Sequence, residues 1–310
     1  MRAFLLKTSF FILFVALTAC SALRPISRAP SGPQMRDVSV DARGETGMRH
    51  RILVLPFLDE DLNRMGETSK VARETLLQEL GRTGQFVLVA LSDFPGDPKE
   101  FLKEDQEYDL NRISRVVSPL GVSAVIEGKL MDLNARKMGD SIGVFRQEKV
   151  LVEAKVRLRI VAGRSGREIF NQVATAKEEA SATQMGGRSK ISADDPQMIM
   201  ESTRRAYMSL LPQVISAVDK LSWEGRVAMV SGEKVYVNAG RLSGIQVGDL
   251  LKVTEEGSEI FDPETGRFIG TAPGRMKGLL EVVSYFGKDG AVTVIHSGNG
   301  FKENDLVQLY

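Results

Sequence analysis

The sequence predicts an α+β protein: an α/β sandwich, in which helices pack on a mixed sheet, followed by a small all-β barrel. First, an apolar run at 51–59 precedes a helix pattern that stops at Gly81 and Gly84. Second, residues 149–161 alternate between apolar and charged side chains, which predicts a long strand with one face on a core and one in water. Third, after residue 222 short β-forming runs are separated by Gly turns.

The first domain, 49–221, takes its element order from local signals. Ala72, Leu76 and Leu80 recur every four residues and predict a helix. Pro212 interrupts the last helix pattern, and we expect it to kink or split that helix. The predicted order is strand 51–59, helix 68–84, strand 85–91, helix 111–121, strand 122–133, strand 149–161, strand 167–182 and helix 196–221.

Composition limits the function classes. The 310 residues carry 41 Lys and Arg against 40 Asp and Glu, so no basic excess points to nucleic acid. The single Cys has no intrachain partner for a disulfide. His50 and His296 are far apart in sequence, and no Ser-His-Asp set, Cys-x-x-Cys pair or phosphate loop is present. We therefore expect no enzyme activity, no cofactor, no metal site and no small-molecule substrate.

The N-terminus has the anatomy of a secretory signal. Arg2 and Lys7 precede the apolar run FFILFVAL (10–17), which is about half the ~20 residues that a spanning helix needs. A plain signal peptide with a chance Cys and a retained helical anchor are the alternatives. LTAC (17–20) resembles the lipobox of bacterial lipoprotein precursors. The resemblance implies a signal peptide at 1–19 and attachment of lipid to Cys20.

The residues after the lipobox indicate how the protein would be anchored. Ser21 is not Asp, which in lipoproteins that follow the Asp-retention rule implies the periplasmic face of the outer membrane. Acyl chains such as palmitate hold a protein to the bilayer with ~0.8 kcal/mol for each buried CH₂. Residues 20–48 contain three Pro and few large apolar side chains, so we expect a flexible tether.

Four segments resemble the lipoprotein superfamily that includes the curli-secretion component CsgG and the middle domain of the flagellar assembly protein FlgT. They are 52–57 (ILVLPF), 76–89, 121–132 and 156–170. The turn at 162–166 (AGRSG) keeps the family's turn but lacks its Asp. The resemblance implies the α/β sandwich. The penicillin-binding-protein activator lipoproteins share this fold and stay open as an alternative.

The curli component forms a pore with amphipathic hairpins. The candidate insertions here, 134–147 and 182–195, are short and polar, and neither offers two strands of the ~9–11 residues that span a bilayer. A pore is therefore not favoured. Ile142 and Phe145 fall on an expected hairpin tip, where they would either contact a partner or fold back onto the sheet.

The second domain, 222–310, resembles the C-terminal domain of FlgT, which is an SH3-like barrel without known catalysis. The turn at 262–266 (DPETG) predicts a hairpin, since Pro263 presets it and Gly266 takes a positive φ. The flagellar protein also has a small N-terminal domain, for which the chain before Arg51 is too short. The other residues that carry the resemblance are Gly240, Gly244, Val247, Gly248 and Asp249.

Other candidate sites have plainer interpretations. Asp59, Asp61 and Asn63 stand at calcium-loop positions, but Arg64 and Lys70 replace the Gly and Glu that the loop requires. We expect the acidic run 97–109 to be solvated surface, and both His to be surface or hydrogen-bonded structural residues. Tyr207, Tyr236 and Tyr285 are expected at the edge of a core.

The sequence thus predicts a non-enzymatic lipoprotein that assembles or scaffolds an envelope structure. Its partners would be proteins of a flagellar basal body or a curli-like secretion apparatus, and its own copies in a ring would be a further arrangement. The alternative is an activator lipoprotein that binds a penicillin-binding protein and regulates peptidoglycan synthesis.

Overall fold

The computed structural model describes residues 47–61, 66–140, 146–184, 192, 194–266 and 268–310. In this part of the chain, three α-helices accompany a six-stranded sheet, a two-stranded hairpin and a closed six-stranded barrel. The mixed α/β class is therefore confirmed. The domain boundaries, the α/β sandwich and the SH3-like assignment stay predictions.

The first part of the fold is a mixed sheet with the strand order β3-β1-β4-β5-β6, and β2 pairs with β4. β1 is parallel to β3 and β4, whereas β4, β5 and β6 are antiparallel. The strands are β1 His50–Val54, β2 Leu58–Asp59, β3 Phe86–Leu88, β4 Ala124–Asp140, β5 Arg146–Ala162 and β6 Glu168–Gln184. The helices are α1 Glu67–Arg82, α2 Leu110–Val117 and α3 Pro196–Asp219, and 3₁₀ turns form at Leu91–Asp93, Pro98–Phe101 and Ser118–Leu120.

Both faces of β1 are buried, which explains its continuous apolar sequence. Ile52 and Val54 face a core that α1 and α3 cover, and Leu53 faces a second core beneath α2. The four-residue spacing in α1 is confirmed as a buried stripe of Ala72, Leu76 and Leu80. The first core also takes Ile126, Leu130, Val156, Leu158, Ile160, Tyr207, Leu210, Val214 and Val218.

The alternation in β5 is confirmed on its apolar side, where the even-numbered side chains from Val150 to Ile160 are buried. The prediction that the charged side lies in water is only half right. Lys149 and Lys155 are exposed, but Arg157 and Arg159 lie beneath the loop before α2 and form ion pairs there.

β4 is longer than the sequence predicts. The sequence predicts an insertion at the polar segment 134–147, whereas β4 runs on to Asp140 and β5 begins at Arg146. The antiparallel ladder continues because polar side chains suit the solvent-facing part of an extended hairpin. The predicted tip with Ile142 and Phe145 lies outside the described residues.

α3 is a single helix, so of the two predicted effects of Pro212 the split is wrong, and the kink stays a prediction. Pro212 is exposed and lacks the N–H that would bond to the carbonyl of Met208. Leu210, Val214 and Val218 flank it and pack into the sheet core. Their burial on both sides of the proline holds the helix together across the missing hydrogen bond.

The second part of the fold is a barrel closed in the order β12-β13-β8-β7-β14-β9. Its core is formed by Val227, Val235, Val237, Ala239, Ile245, Leu251, Val253, Leu280, Val282, Ala291, Phe301 and Val307. The strands are β7 Gly225–Ser231, β8 Lys234–Val237, β9 Leu250–Thr254, β12 Met276–Phe286, β13 Gly290–Gly298 and β14 Leu306–Leu309. Closure pairs both edges of this small sheet.

β10 Glu259–Phe261 and β11 Phe268–Thr271 form the predicted hairpin beside the barrel. Asp262 Oδ1 accepts hydrogen bonds from the backbone N–H groups of Glu264 and Thr265. Gly266 has φ +65°, as its place in the turn requires.

Candidate interaction surface

The barrel is joined to the sheet at β1. Arg51 Nη2 lies 2.8 Å from Asp289 Oδ2, and the two side chains are only 15% and 9% exposed. Arg51 also donates to the carbonyls of Leu120 and Asn238. These two residues lie on opposite sides of the contact between the sheet and the barrel, which is called the seam below. The guanidinium therefore connects β1, the 3₁₀ turn that follows α2, and the barrel.

Asp289 is held from four directions. Its Oδ1 accepts from the backbone N–H groups of Gly240 (2.9 Å) and Ser243 (3.2 Å), and its Oδ2 accepts from Ser243 Oγ (2.6 Å) as well as from Arg51. Burial acts to raise the pKa of Asp289, but the hydrogen bonds from Ser243 and Arg51 and the charge of Arg51 outweigh it. The pKa of Asp289 therefore lies below its ordinary value.

A second group of contacts reinforces the seam. Arg226, which is 3% exposed, donates to Ser118 Oγ (2.7 Å) and to the carbonyl of Asn304 (2.9 Å). Arg164 and Glu224 form an ion pair of 3.1 Å beside it. The two parts of the fold therefore present their surfaces in a fixed relation.

The chain also crosses the barrel before it enters the sheet. Arg49 N–H donates to the carbonyl of Ser243, and Met48 packs against the barrel core. Gly244 meets the backbone of Gly47, where an added Cβ would lie 2.8 Å from the carbonyl oxygen. Gly47 and Met48, which the sequence assigns to the tether, thus contact the barrel.

A buried charge cluster lies on the sheet face that α2 partly covers. Arg159 Nε donates to Glu127 Oε2 at 2.8 Å, and Glu107 accepts from Arg157 at 2.6 Å and pairs with Arg159 at 3.2 Å. Lys129 pairs with Glu60. The bridge between Leu102 and Tyr108 carries Glu107 over this face. The part of the acidic run 97–109 that carries Glu107 therefore packs over the sheet, whereas the sequence predicts solvated surface there.

Glu127 is 1% exposed, and its Oε1 has no hydrogen-bond partner in the structure. Burial raises the pKa of Glu127 above its ordinary value, and the nearby Arg159 and Arg157 counteract only part of that effect. A shifted carboxyl is also a mark of catalytic sites. Here both arginines are engaged in ion pairs, so the cluster fits a structural role in fixing the loop on the sheet.

The other edge of the sheet is open. β6 pairs with β5 along its 17 residues, and no other described strand pairs with it. Next to the start of β6, a groove of about 700 Å³ separates the strand from the second half of α3. The groove is lined by Arg167, Glu168, Ile169, Phe170, Pro212, Gln213, Ser216, Ala217, Lys220 and Leu221.

The β10–β11 hairpin exposes apolar side chains. Ile269 is 64% exposed, and Ile260 and Phe261 are also exposed. Ile269 borders a polar cavity of about 420 Å³, which Lys103, Arg159 and Arg167 also line. This hairpin and the edge of β6 therefore flank the same part of the molecule.

The structure does not assemble the other sequence candidates into a site. Cys20 lies outside the described residues, so its acylation stays a prediction. No described helix is long and apolar enough to span a membrane. Among the same residues, no cluster of three or more His, Cys, Asp or Glu side chains is placed to bind a metal ion.

The individual candidates have ordinary environments. Asp59 Oδ1 accepts from the N–H of Asp61, and Asn63 is outside the described residues. His296 is exposed, as predicted, 3.8 Å from Glu281. His50 is buried and its Nδ1 lacks a hydrogen-bond partner in the structure, so the prediction of a surface or hydrogen-bonded residue is wrong for that nitrogen.

Of the three tyrosines predicted at the edge of a core, two are found there and one is not. Tyr207 is fully buried and its ring centroid lies 4.6 Å from that of Phe57, so it belongs to the centre of the core. Tyr236 and Tyr285 are half-buried on the barrel, as expected. The OH of Tyr285 donates to the carbonyl of Ile245.

No protein-family model and no curated protein matches the sequence. Solved structures of bacterial lipoproteins are similar to part of the chain. Lipoprotein GNA1162 from Neisseria meningitidis is 16% identical, with 55% of this chain and 95% of that chain covered and a TM-score of 0.26. The C-terminal domain of LpoB from Salmonella enterica is 15% identical, with 44% and 89% covered and a TM-score of 0.28.

A minor lipoprotein from Acinetobacter baumannii is 10% identical, with 55% of this chain and 94% of that chain covered and a TM-score of 0.27. The neighbours named here are thus bacterial lipoproteins. TM-scores this low carry no argument about the function of this chain, and they leave the CsgG-like and FlgT-like resemblances as expectations from the sequence.

Proposed function

We propose that this protein is a lipoprotein of the bacterial envelope, anchored through Cys20 at the periplasmic face of the outer membrane, that assembles or scaffolds an envelope structure without catalysing a reaction. The observation that carries this proposal is a barrel fixed to a sheet whose long outer strand is open. Arg51, Asp289 and Arg226 fix the barrel, and the outer backbone groups of β6 pair with no other described strand. A rigid body with an open edge suits the binding of proteins.

The anchor is tested by the Cys20→Ser substitution. The wild-type protein should fractionate with membranes and give a mature N-terminal peptide whose mass includes the diacylglycerol and acyl groups. The variant should leave the membrane fraction. A wild-type N-terminus that carries no lipid would contradict the proposed membrane anchor. The proposed scaffolding function would then be tested separately.

The partner class is tested by crosslinking in the native envelope, followed by mass spectrometry. Recovery of flagellar basal-body proteins or of a curli-like secretion apparatus would support the assembly function. Recovery of a penicillin-binding protein would instead support the second candidate, an activator of peptidoglycan synthesis, for which the same open edge would serve. Recovery of the chain crosslinked only to itself would favour a ring of its own copies.

A further inference from the structure

We infer that the groove between the start of β6 and the second half of α3 binds an extended segment of a partner protein, which adds to the β6 edge, places apolar side chains in the groove and brings an acidic side chain to Arg167 and Lys220. The inference rests on the proposed function only in taking a protein as the partner.

The groove is formed by an irregularity of the strand. Successive side chains of a strand normally point to opposite faces. Ile169 and Phe170 both line the groove, because the register with β5 passes from Phe170 opposite Ile160 to Glu168 opposite Val161. Ile169 is therefore the extra residue of a β-bulge. The bulge leaves two adjacent apolar side chains, both half-buried, on the edge of the sheet.

The helix side of the groove is also open. Pro212, Ser216 and Lys220 recur every four residues along one stripe of α3 and are all exposed. Ala217 and Leu221 add half-buried apolar surface at the floor. Pro212 has no backbone N–H and therefore donates no hydrogen bond to the carbonyl of Met208.

The edge determines the backbone shape of the occupant. β6 pairs with β5 alone among the described strands, so half of its backbone N–H and C=O groups point outward. A strand added at this edge satisfies those groups, and alternate side chains of the added strand then point toward the groove. A helix would leave the outward groups of β6 unpaired.

Charge determines the side chains of the occupant. Arg167 and Lys220 are exposed, and neither forms an ion pair with any described residue. The one carboxylate in the groove lining, that of Glu168, accepts a hydrogen bond from Asn171. An acidic side chain in the added strand would complement the two cations, whereas a basic one would be repelled.

The test uses the purified full chain in detergent and a display library of peptides about ten residues long. Selected peptides should alternate apolar and polar residues and contain Asp or Glu. The affinity of one such peptide, measured by fluorescence anisotropy, should fall by about tenfold or more with Ser216→Trp, which fills the groove. Ser209→Trp is the matched control, since Ser209 is also exposed on α3, two turns earlier and outside the groove.

Two further measurements locate the peptide. Arg167→Glu should weaken binding, and replacing the acidic residue of the peptide with Lys should restore it. Hydrogen exchange of the β6 amides at Glu168–Gln172 should slow when the peptide is added, while the amides at Lys177–Ala180 should not change. Thermal unfolding of each variant should match that of the wild type, so that loss of binding is not loss of fold.

Equal peptide binding to the wild type and Ser216→Trp would overturn the inference, as would selected peptides without acidic residues. A dimer that Ser216→Trp dissociates in sedimentation would also overturn it, because the occupant would then be a second copy of the chain. If a partner recovered from the envelope still binds Ser216→Trp, the proposed function stands and this site does not.

Discussion

Arg51 and Asp289 lie 238 residues apart in sequence, and they form a 2.8 Å ion pair at the seam between the interior strand β1 of the sheet and the β12–β13 turn of the barrel. The pair is largely shielded from water, and Ser243 and Gly240 complete the coordination of the carboxylate. Removal of one partner is therefore expected to cost more than it would in a surface ion pair, because the other charge would be left buried.

Asp289→Ala should lower the free energy of unfolding by about 2–3 kcal/mol, because it leaves the Arg51 guanidinium and two backbone N–H groups without their acceptor. Urea denaturation followed by circular dichroism measures the loss. Lys288→Ala, at the exposed neighbouring position, should change stability by less than about 0.5 kcal/mol. Equal effects of the two substitutions would mean that the ion pair does not stabilise the seam.

The contribution of Asp289 should depend on pH. Its pKa in the folded protein lies below the ordinary value of 3.8, so the folded state favours the ionised carboxylate. The stabilisation is therefore fully present above that ordinary value and is lost as the pH falls through the lower, folded pKa. The stability difference between the wild type and Asp289→Asn should be constant near neutral pH and shrink in acid. A difference that grows in acid would contradict the assignment.

Arg159→Ala should destabilise the protein by about 3–5 kcal/mol, because Glu127 would keep a buried charge with its main partner removed. Lys155→Ala is the matched control, since Lys155 is on the same face of β5 but exposed. Without Arg159, the already raised pKa of Glu127 should rise further. A raised carboxyl pKa destabilises the fold above that pKa, so the variant should regain stability relative to the wild type as the pH is lowered. A pH-independent difference would exclude Glu127 as the cause.

Gly163→Ala should cost about 3 kcal/mol, because the new Cβ would lie 1.9 Å from the carbonyl oxygen of Val122 and the backbone would have to move. Gly163 follows β5 and its N–H donates to the carbonyl of Ser123, so the shift would disturb the turn into β6. Gly66→Ala is the control, since nothing lies within 4 Å of its added Cβ. Similar unfolding midpoints for the two variants would show that the turn tolerates movement.

Local patterns predicted most of the helices and strands. The twelve-residue alternation in β5, the four-residue spacing in α1 and the Gly-separated runs of the barrel each reflect burial on one face of a single element. Residues on one buried face recur with the period of the strand or helix itself, so the pattern is visible in a short stretch of sequence. The DPETG turn is equally local, and its hydrogen bonds are within the turn itself.

What the sequence did not reveal depends on distant partners. In the sequence, Glu127 and Lys129 are simply polar positions of a strand. Their face of the sheet is buried because the loop that carries Glu107 covers it. Arg51 gives no local sign of its partner Asp289. The continuity of α3 across Pro212 likewise depends on packing against the sheet, which helix propensity does not include. The open edge of β6 follows from strand order, which periodicity alone does not determine.

The route by which the chain enters the fold has a mechanical consequence. Residues 47–49 cross the barrel, and the chain then becomes β1, which is hydrogen-bonded on both sides to the parallel strands β3 and β4. A load applied through the N-terminal end would pull β1 along its own axis, so its flanking hydrogen bonds would be sheared together rather than peeled one at a time. The ion pair of Arg51 with Asp289 lies near the start of that strand, directly after the contacts of residues 47–49 with the barrel. A lipid tether attached upstream would therefore pull against the strongest direction of the sheet.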